Sequence, residues 1–121
     1  MRLTWFLAAL LALTVPAAAD DDAYGAVGVN TKNGFVLFVT EATKDAAERA
    51  VEEGCERAGE DCDVKHWYTG ACVALARSAN DDSYGLSIKD TRAEAQQDAV
   101  KVCAEHDGQG CNVHDTYCAG Q

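Results

Sequence analysis

The chain has 121 residues and a formal net charge of −10, with 20 acidic side chains against 10 basic ones. This acidity argues against nucleic acid and anionic lipid as partners, because both would repel the protein. The length predicts a single domain with a modest core, since a domain of about 100 residues buries roughly two thirds of its unfolded surface.

The first predicted element is a secretory signal peptide over residues 1–19. Arg2 supplies its positive start, residues 5–15 form an apolar run, and Ala17-Ala18-Ala19 offers a cleavage site of small residues. The apolar run is shorter than the roughly 20 residues of a membrane-spanning helix. Cleavage would change the net charge to −11 and leave a flexible acidic start at residues 20–23. We therefore expect a secreted or periplasmic protein without a membrane span.

Two strands, a helix and a return strand are predicted next. Residues 26–29 and 35–39 are strand-like, and Asn33-Gly34 between them suits a hairpin turn. Thr43 is the predicted N-cap of the helix, and Val64–Tyr68 is the return strand. Small or apolar helix positions recur near the helical period. They are Ala47, Ala50, Val51, Gly54, Cys55 and Ala58.

The second half of the chain predicts the same elements again. Residues 84–88 alternate as a half-buried strand does, Thr91 is the predicted N-cap of a second helix, and residues 112–117 form a return strand. Gly59 and Gly108 are expected just past the two helix ends. The positions expected to be buried on the second helix are Ala95, Ala99, Val102 and Cys103.

An internal repeat explains this similarity. A shift of 48 residues superposes Thr43 on Thr91 and Cys55 on Cys103. Several more small residues coincide in the same register, which is hard to obtain by chance. We interpret the chain as a duplication of one structural unit.

The repeat predicts an α+β fold with two ββαβ units that share a small antiparallel sheet and carry two helices. The units span about residues 24–71 and 72–121, and together they form a single domain over residues 24–121. Disulfides are expected to staple this domain.

Six cysteines follow the predicted signal peptide and indicate three disulfides, because an even number is typical of small exported domains. A zinc site is the alternative, but no C-x-x-C spacing occurs. Many pairings are possible, and we favour those that close short loops across a glycine turn. The favoured pairs are Cys55–Cys62, Cys103–Cys111 and, as an expected link between the halves, Cys72–Cys118.

Several of these segments together carry a family resemblance. They are Ala26-Val27-Gly28-Val29, the Thr-capped helix into Cys55, the glycine turn to Cys62, Cys72-Val73-Ala74-Leu75-Ala76 and Tyr84-Gly85. Over most of residues 24–118 the pattern resembles the bacterial "domain of unknown function 4189" family. The resemblance implies an exported domain with no assigned activity, substrate or catalytic residue. The chain departs from the family's usual aromatic-rich second strand, since it has Leu86-Ser87-Ile88 there.

No catalytic motif stands out. Bridged cysteines cannot act as nucleophiles, and no G-x-S-x-G elbow occurs. His114 and Asp115 are adjacent, so on a strand they point to opposite faces. We therefore expect no enzyme activity, no cofactor and no metal site. The alternative is a small histidine- or metal-dependent hydrolase, which requires His66, His106 and His114 to meet in one pocket.

Trp67 and Phe38 are the candidate binding residues. Trp67 shares one face of its strand with Lys65, and if that face carries no helix it would lie exposed beside Phe38. An exposed aromatic ring there could anchor a protein or a sugar. Burial of Trp67 in the core is the competing interpretation, and we favour it.

The end of the first helix and the loop after it are strongly acidic. The residues are Glu52-Glu53, Glu56, Glu60-Asp61 and Asp63. Such a run is usually a solvated surface, although a basic partner could dock on it. The sequence thus favours an exported, non-catalytic binding module, inhibitor-like or envelope-associated, with a protein or glycan partner outside the cytoplasm.

Overall fold

Both halves of the described chain have the element order strand, strand, helix, strand. The computed structural model describes residues 23–121, so the predicted signal peptide and residues 20–22 lie outside it. The elements are β1 (Tyr24–Asn30), β2 (Phe35–Glu41), α1 (Lys44–Arg57), β3 (Val64–Tyr68), β4 (Ala71–Arg77), β5 (Tyr84–Lys89), α2 (Arg92–Glu105) and β6 (Asn112–Ala119). The predicted α+β class is confirmed. Within these residues neither helix is long and apolar enough to cross a membrane.

The strands form two three-stranded antiparallel sheets, whereas the sequence pattern predicted one. β1 lies between β2 and β3, and β4 lies between β5 and β6. The β1–β2 pairing and the β4–β5 pairing have the same register after the 48-residue shift. Val27 pairs with Phe38, and the residues 48 positions later, Leu75 and Leu86, also pair. The sequence pattern identified the strands, but it held no information on whether the two units would join edge to edge or stack.

The sheets stack through the faces that carry no helix. Tyr68 and Val73, from different sheets, are both buried in one apolar cluster, and Phe38 and Ile88 pack against it. Two further clusters lie between each helix and its own sheet. The layers are therefore helix, sheet, sheet, helix, and each central strand is covered on both faces.

Each helix begins at the predicted threonine. The Thr43 hydroxyl accepts a hydrogen bond from the amide of Ala46 at 3.1 Å, and the Thr91 hydroxyl accepts one from the amide of Glu94 at 3.2 Å. The stripe buried against the sheet consists of Ala47, Val51 and Cys55 in α1 and Ala95, Ala99 and Cys103 in α2. Because these side chains are small, each helix lies close to its sheet.

The helices end in the same backbone turn with different residues. Gly59 takes a left-handed conformation with φ 69°, and the equivalent position in the second half is Asp107 with φ 64°, one residue before the expected Gly108. In each half the following amide donates a hydrogen bond to the carbonyl of the helix cysteine, at 2.9 Å to Cys55 and 3.0 Å to Cys103. Of the other positions predicted to be buried, Ala58 is exposed, because it lies beyond the last helical turn.

Three disulfides link the described cysteines, and none of these cysteines is free. The pairs are Cys55–Cys62, Cys103–Cys111 and Cys72–Cys118. The first two each tie the end of a helix to the segment before the next strand. The expectation that Cys72–Cys118 joins the two halves is wrong, because these cysteines face each other on β4 and β6 of one sheet.

The backbone of α2 lies very close to β5 at Gly85. A Cβ atom added there would meet the backbone oxygen of Ala99 and the backbone nitrogen of Cys103. We expect Gly85→Ala to lower the free energy of unfolding by about 3 kcal/mol, at the upper end of typical overpacking costs, because helix backbone cannot move aside. Urea denaturation measures this change.

Gly54→Ala in α1 is the matched control. Its added Cβ would meet only the tip of the Leu37 side chain, which can rotate, and alanine favours the helix by up to about 1 kcal/mol. We expect a net change within about 1 kcal/mol. An equal decrease in the free energy of unfolding in both variants would contradict this account of the helix–sheet contact.

Tyr68 carries a buried hydroxyl that has no hydrogen-bond partner among residues 23–121. Burial, with a smaller contribution from nearby Tyr117, raises its pKa to about 12. An unfolded tyrosine ionises near pH 10. Between about pH 10 and 12 the unfolded state therefore loses this proton while the folded state keeps it. The free energy of unfolding should fall as the pH rises through that window.

Tyr68→Phe should therefore stabilise the protein by about 1 kcal/mol near neutral pH, because it removes an unsatisfied buried hydroxyl. It should also flatten the decline in stability at alkaline pH. Urea unfolding of both proteins at about pH 8 and about pH 11, on either side of the ordinary tyrosine pKa, measures both effects. An alkaline decline of unchanged size in Tyr68→Phe would count against a buried neutral phenol.

Candidate binding groove

Trp67 lies on the helix-bearing face of the first sheet, and its side chain is partly open to solvent. It pairs with Ala26 on β1 and is 38% exposed. The ammonium of Lys44 lies 4.4 Å from the centre of its ring, and the ring of Tyr24 lies 6.3 Å away, centre to centre. The favoured interpretation, burial in the core, is therefore wrong, because the ring projects beside α1 rather than beneath it.

A cavity of about 190 Å³ separates this ring from α1. Ala26 and Val51 are its buried apolar lining. Glu52 of α1 and Lys65 of β3 face each other across it, with 3.4 Å between the ammonium nitrogen and a carboxylate oxygen. Both side chains are exposed, so this ion pair contributes little to stability and leaves the cavity polar at its rim and apolar inside.

A second cavity of about 280 Å³ adjoins the first, since both are lined by Glu52 and Lys65. The Cys55–Cys62 disulfide forms part of its lining. Its other carboxylates are those of Glu56, Glu60 and Asp61. We call the two cavities together the α1–β3 groove, which is aromatic at one end and acidic at the other.

Hydrogen bonds favour the ionised form of Glu60 at the acidic end. The side-chain amides of Asn33 and Asn30 donate to Glu60 at 2.8 and 2.9 Å and lower the pKa of its carboxyl group. Beside the groove, the hydroxyl and the amide of Thr31 donate to Asp63 and lower its pKa in the same way. These bonds also fasten the β1–β2 turn to the loop that precedes β3.

The second half has no such acidic row on its helix. The 48-residue shift places uncharged side chains of α2 where α1 has three glutamates. The pairs are Glu48 and Gln96, Glu52 and Val100, and Glu56 and Ala104. The acidity of the groove is thus a property of the first unit.

The second half also fills the equivalent space. Thr116 pairs with Ala74 where Trp67 pairs with Ala26. The side-chain amide of Gln96 donates to the Thr116 hydroxyl at 2.9 Å, and Val100 packs against the buried cluster beneath α2. The space between helix and edge strand is therefore open in the first unit and filled in the second.

Phe38 does not belong to the groove. Its partner on β1 is Val27, and that of Trp67 is Ala26, so the two side chains leave opposite faces of the sheet. Phe38 contacts Tyr117 instead, with 4.9 Å between ring centres. The structure thus separates the two candidate binding residues.

The three histidines line three different cavities. His66 lies at the α1–β3 groove, His106 lies beside an apolar cavity between the halves, and His114 lies at a polar cavity near Arg77. Across residues 23–121 no group of three or more histidine, cysteine or acidic side chains is placed to hold a metal ion. The structure therefore does not bring the histidines into the single pocket that the hydrolase alternative requires.

Sequence reasoning missed Tyr24, Lys44 and Glu48 as parts of this site. The signal that could have found Glu48 is the 48-residue shift, because it shows the positions at which the two halves of the sequence differ in charge. No comparable signal marks Tyr24 or Lys44, whose approach to Trp67 depends on the distance between α1 and the sheet.

The sequence profile of one family matches residues 24–118, and its description is domain of unknown function (DUF4189). The chain belongs to this family. No curated protein and no solved structure matches the chain. The α1–β3 groove lies wholly inside the DUF4189 segment, and the three disulfides of this DUF4189 protein suit an oxidising environment.

Proposed function

We propose that this DUF4189 protein is an exported, non-catalytic binding module whose α1–β3 groove holds a protein or glycan ligand. The observation that carries the proposal is the Trp67 side chain, 38% exposed at the rim of a cavity of about 190 Å³. Large aromatic side chains in such positions supply much of the binding energy at interfaces, because they bury wide apolar area at little conformational cost.

Rigidity of the groove supports the proposal. The Cys55–Cys62 bridge fixes the end of α1 to the segment that leads into β3, and the Lys44 ammonium packs on the Trp67 ring from one side. A groove held in this way loses little conformational freedom when a ligand enters it. We infer that the module is inhibitor-like or envelope-associated.

Location outside the cytoplasm rests on two observations. The sequence predicts a signal peptide over residues 1–19, and all the described cysteines are bridged. Thiols rarely remain bridged in a reducing cytoplasm. The net charge of −10 makes nucleic acid an unfavourable ligand in any compartment.

The test is a titration of the purified oxidised protein with panels of short peptides and neutral oligosaccharides, followed by NMR and calorimetry. A ligand of the groove should shift the resonances of Trp67 and its neighbours. Trp67→Ala should weaken binding by roughly 30-fold, because loss of a central aromatic anchor typically costs about 2 kcal/mol or more.

Tyr117→Ala is the matched control. Tyr117 is 42% exposed and aromatic, but it lies beside Phe38, away from the groove. Its loss should leave the affinity unchanged. Binding that depends on Tyr117 rather than Trp67, chemical conversion of a bound ligand, or failure of every probe to bind would contradict the proposal.

A further inference from the structure

The ligand class can be narrowed if the proposed binding function holds. We propose that the groove binds an extended, basic segment of a partner protein, which adds to the first sheet as a fourth strand beside β3. The inference combines the free edge of β3, the cavities on its two faces and the charge of the groove.

β3 is an edge strand with little cover. Within residues 23–121 it pairs with β1 on one side and with no strand on the other, and four of its five residues are exposed. Alternate residues of such a strand direct their N–H and C=O groups away from the sheet. An edge of this kind is a template for the backbone of another chain.

Each face of this edge borders a cavity. On the helix side is the groove with Trp67, and on the opposite side is an apolar cavity of about 190 Å³ lined by Val64, Val29 and Leu86. Val64 is 43% exposed at its rim. Side chains of an added strand alternate between the two faces, so successive residues would meet the two cavities in turn. A sugar could stack on Trp67, but it could not make this backbone pairing.

The negative charge of the groove favours a partner segment with basic side chains. The acidic end of the groove has four carboxylates against the single ammonium of Lys65, and the chain as a whole carries a net charge of −10. Arginine or lysine side chains of a partner would be attracted there. A second copy of this protein would bring its own acidic groove beside the first, which disfavours pairing of β3 with β3.

The corresponding edge in the second unit lacks these features. A bulge interrupts the pairing of β6 with β4, and such irregularity protects an edge from added strands. Gln96 and Thr116 are hydrogen-bonded to each other across the position of the groove. Of these two edges, β3 is therefore the receptive one.

The experiment uses a library of short peptides with arginine fixed at alternate positions and the intervening positions randomised. We expect a selected binder to protect alternate β3 amides from hydrogen exchange. Replacing its arginines by glutamate should weaken binding at least tenfold. N-methylation of one alternate set of its amides should do the same, whereas N-methylation of the other set should be tolerated, since only one set faces β3.

Two protein variants take their replacement residues from the second unit, where the same fold carries them at the equivalent positions. Trp67→Thr and Glu52→Val install the residues that the second unit carries at the equivalent positions, and each should weaken binding at least tenfold. Glu105→Val removes one carboxylate from the exposed end of α2 and should leave the affinity unchanged. Circular dichroism verifies that the variants remain folded.

Other results would overturn the inference in distinguishable ways. Equal tolerance of both N-methylated sets, absence of peptide binders while an oligosaccharide binds at Trp67, or self-association through β3 would refute strand addition and leave a binding role in place. Failure of every peptide and oligosaccharide to bind in the groove would refute both proposals.

Discussion

The covalent link between the end of each helix and the segment that leads into the next strand is the constraint on which this fold depends. Cys55–Cys62 and Cys103–Cys111 close loops of similar length, with seven and eight residues of separation. In the loop-entropy description each such bridge contributes roughly 2–3 kcal/mol, a large share of the net stability of a small domain. The bridges fix where β3 and β6 begin relative to the helices.

Small side chains on the helices allow the disulfide-linked helices to pack closely on their sheets. The buried stripes are mainly alanine and cysteine, so they supply limited apolar area but allow each helix to lie close to its sheet. The inner faces of the sheets carry the larger side chains, among them Val27, Val73 and Leu75. The cluster between the sheets is shared by both units, whereas each helix has its own cluster with its sheet, so the outer helix–sheet contacts are free to differ.

The helix–sheet contacts of the two units differ in this way. In the second unit the side chains of α2 reach β6 and close the gap, as Gln96 does with Thr116. In the first unit glutamates occupy the equivalent helix positions and Trp67 occupies the strand position, so the gap stays open. Within residues 23–121 the two units thus differ at this gap through a few side chains and through the bulge in β6.

The sequence predicted the local features of this fold better than its assembly. Thr43 and Thr91 were recognisable as caps because their signals lie within one helical turn. Periodicity showed that Trp67 and Lys65 share a face, but it could not show which face α1 covers. The stacking of two sheets depends on long-range contacts such as that between Phe38 and Tyr117, which leave no local pattern.

The most direct test of the central constraint compares hydrogen exchange in two double variants, Cys55→Ser with Cys62→Ser, and Cys103→Ser with Cys111→Ser. Loss of the first bridge should reduce protection at the end of α1 and in β3 while β6 stays protected, and loss of the second should do the reverse. Protection that falls uniformly over both units, or that stays unchanged near the missing bridge, would contradict the account.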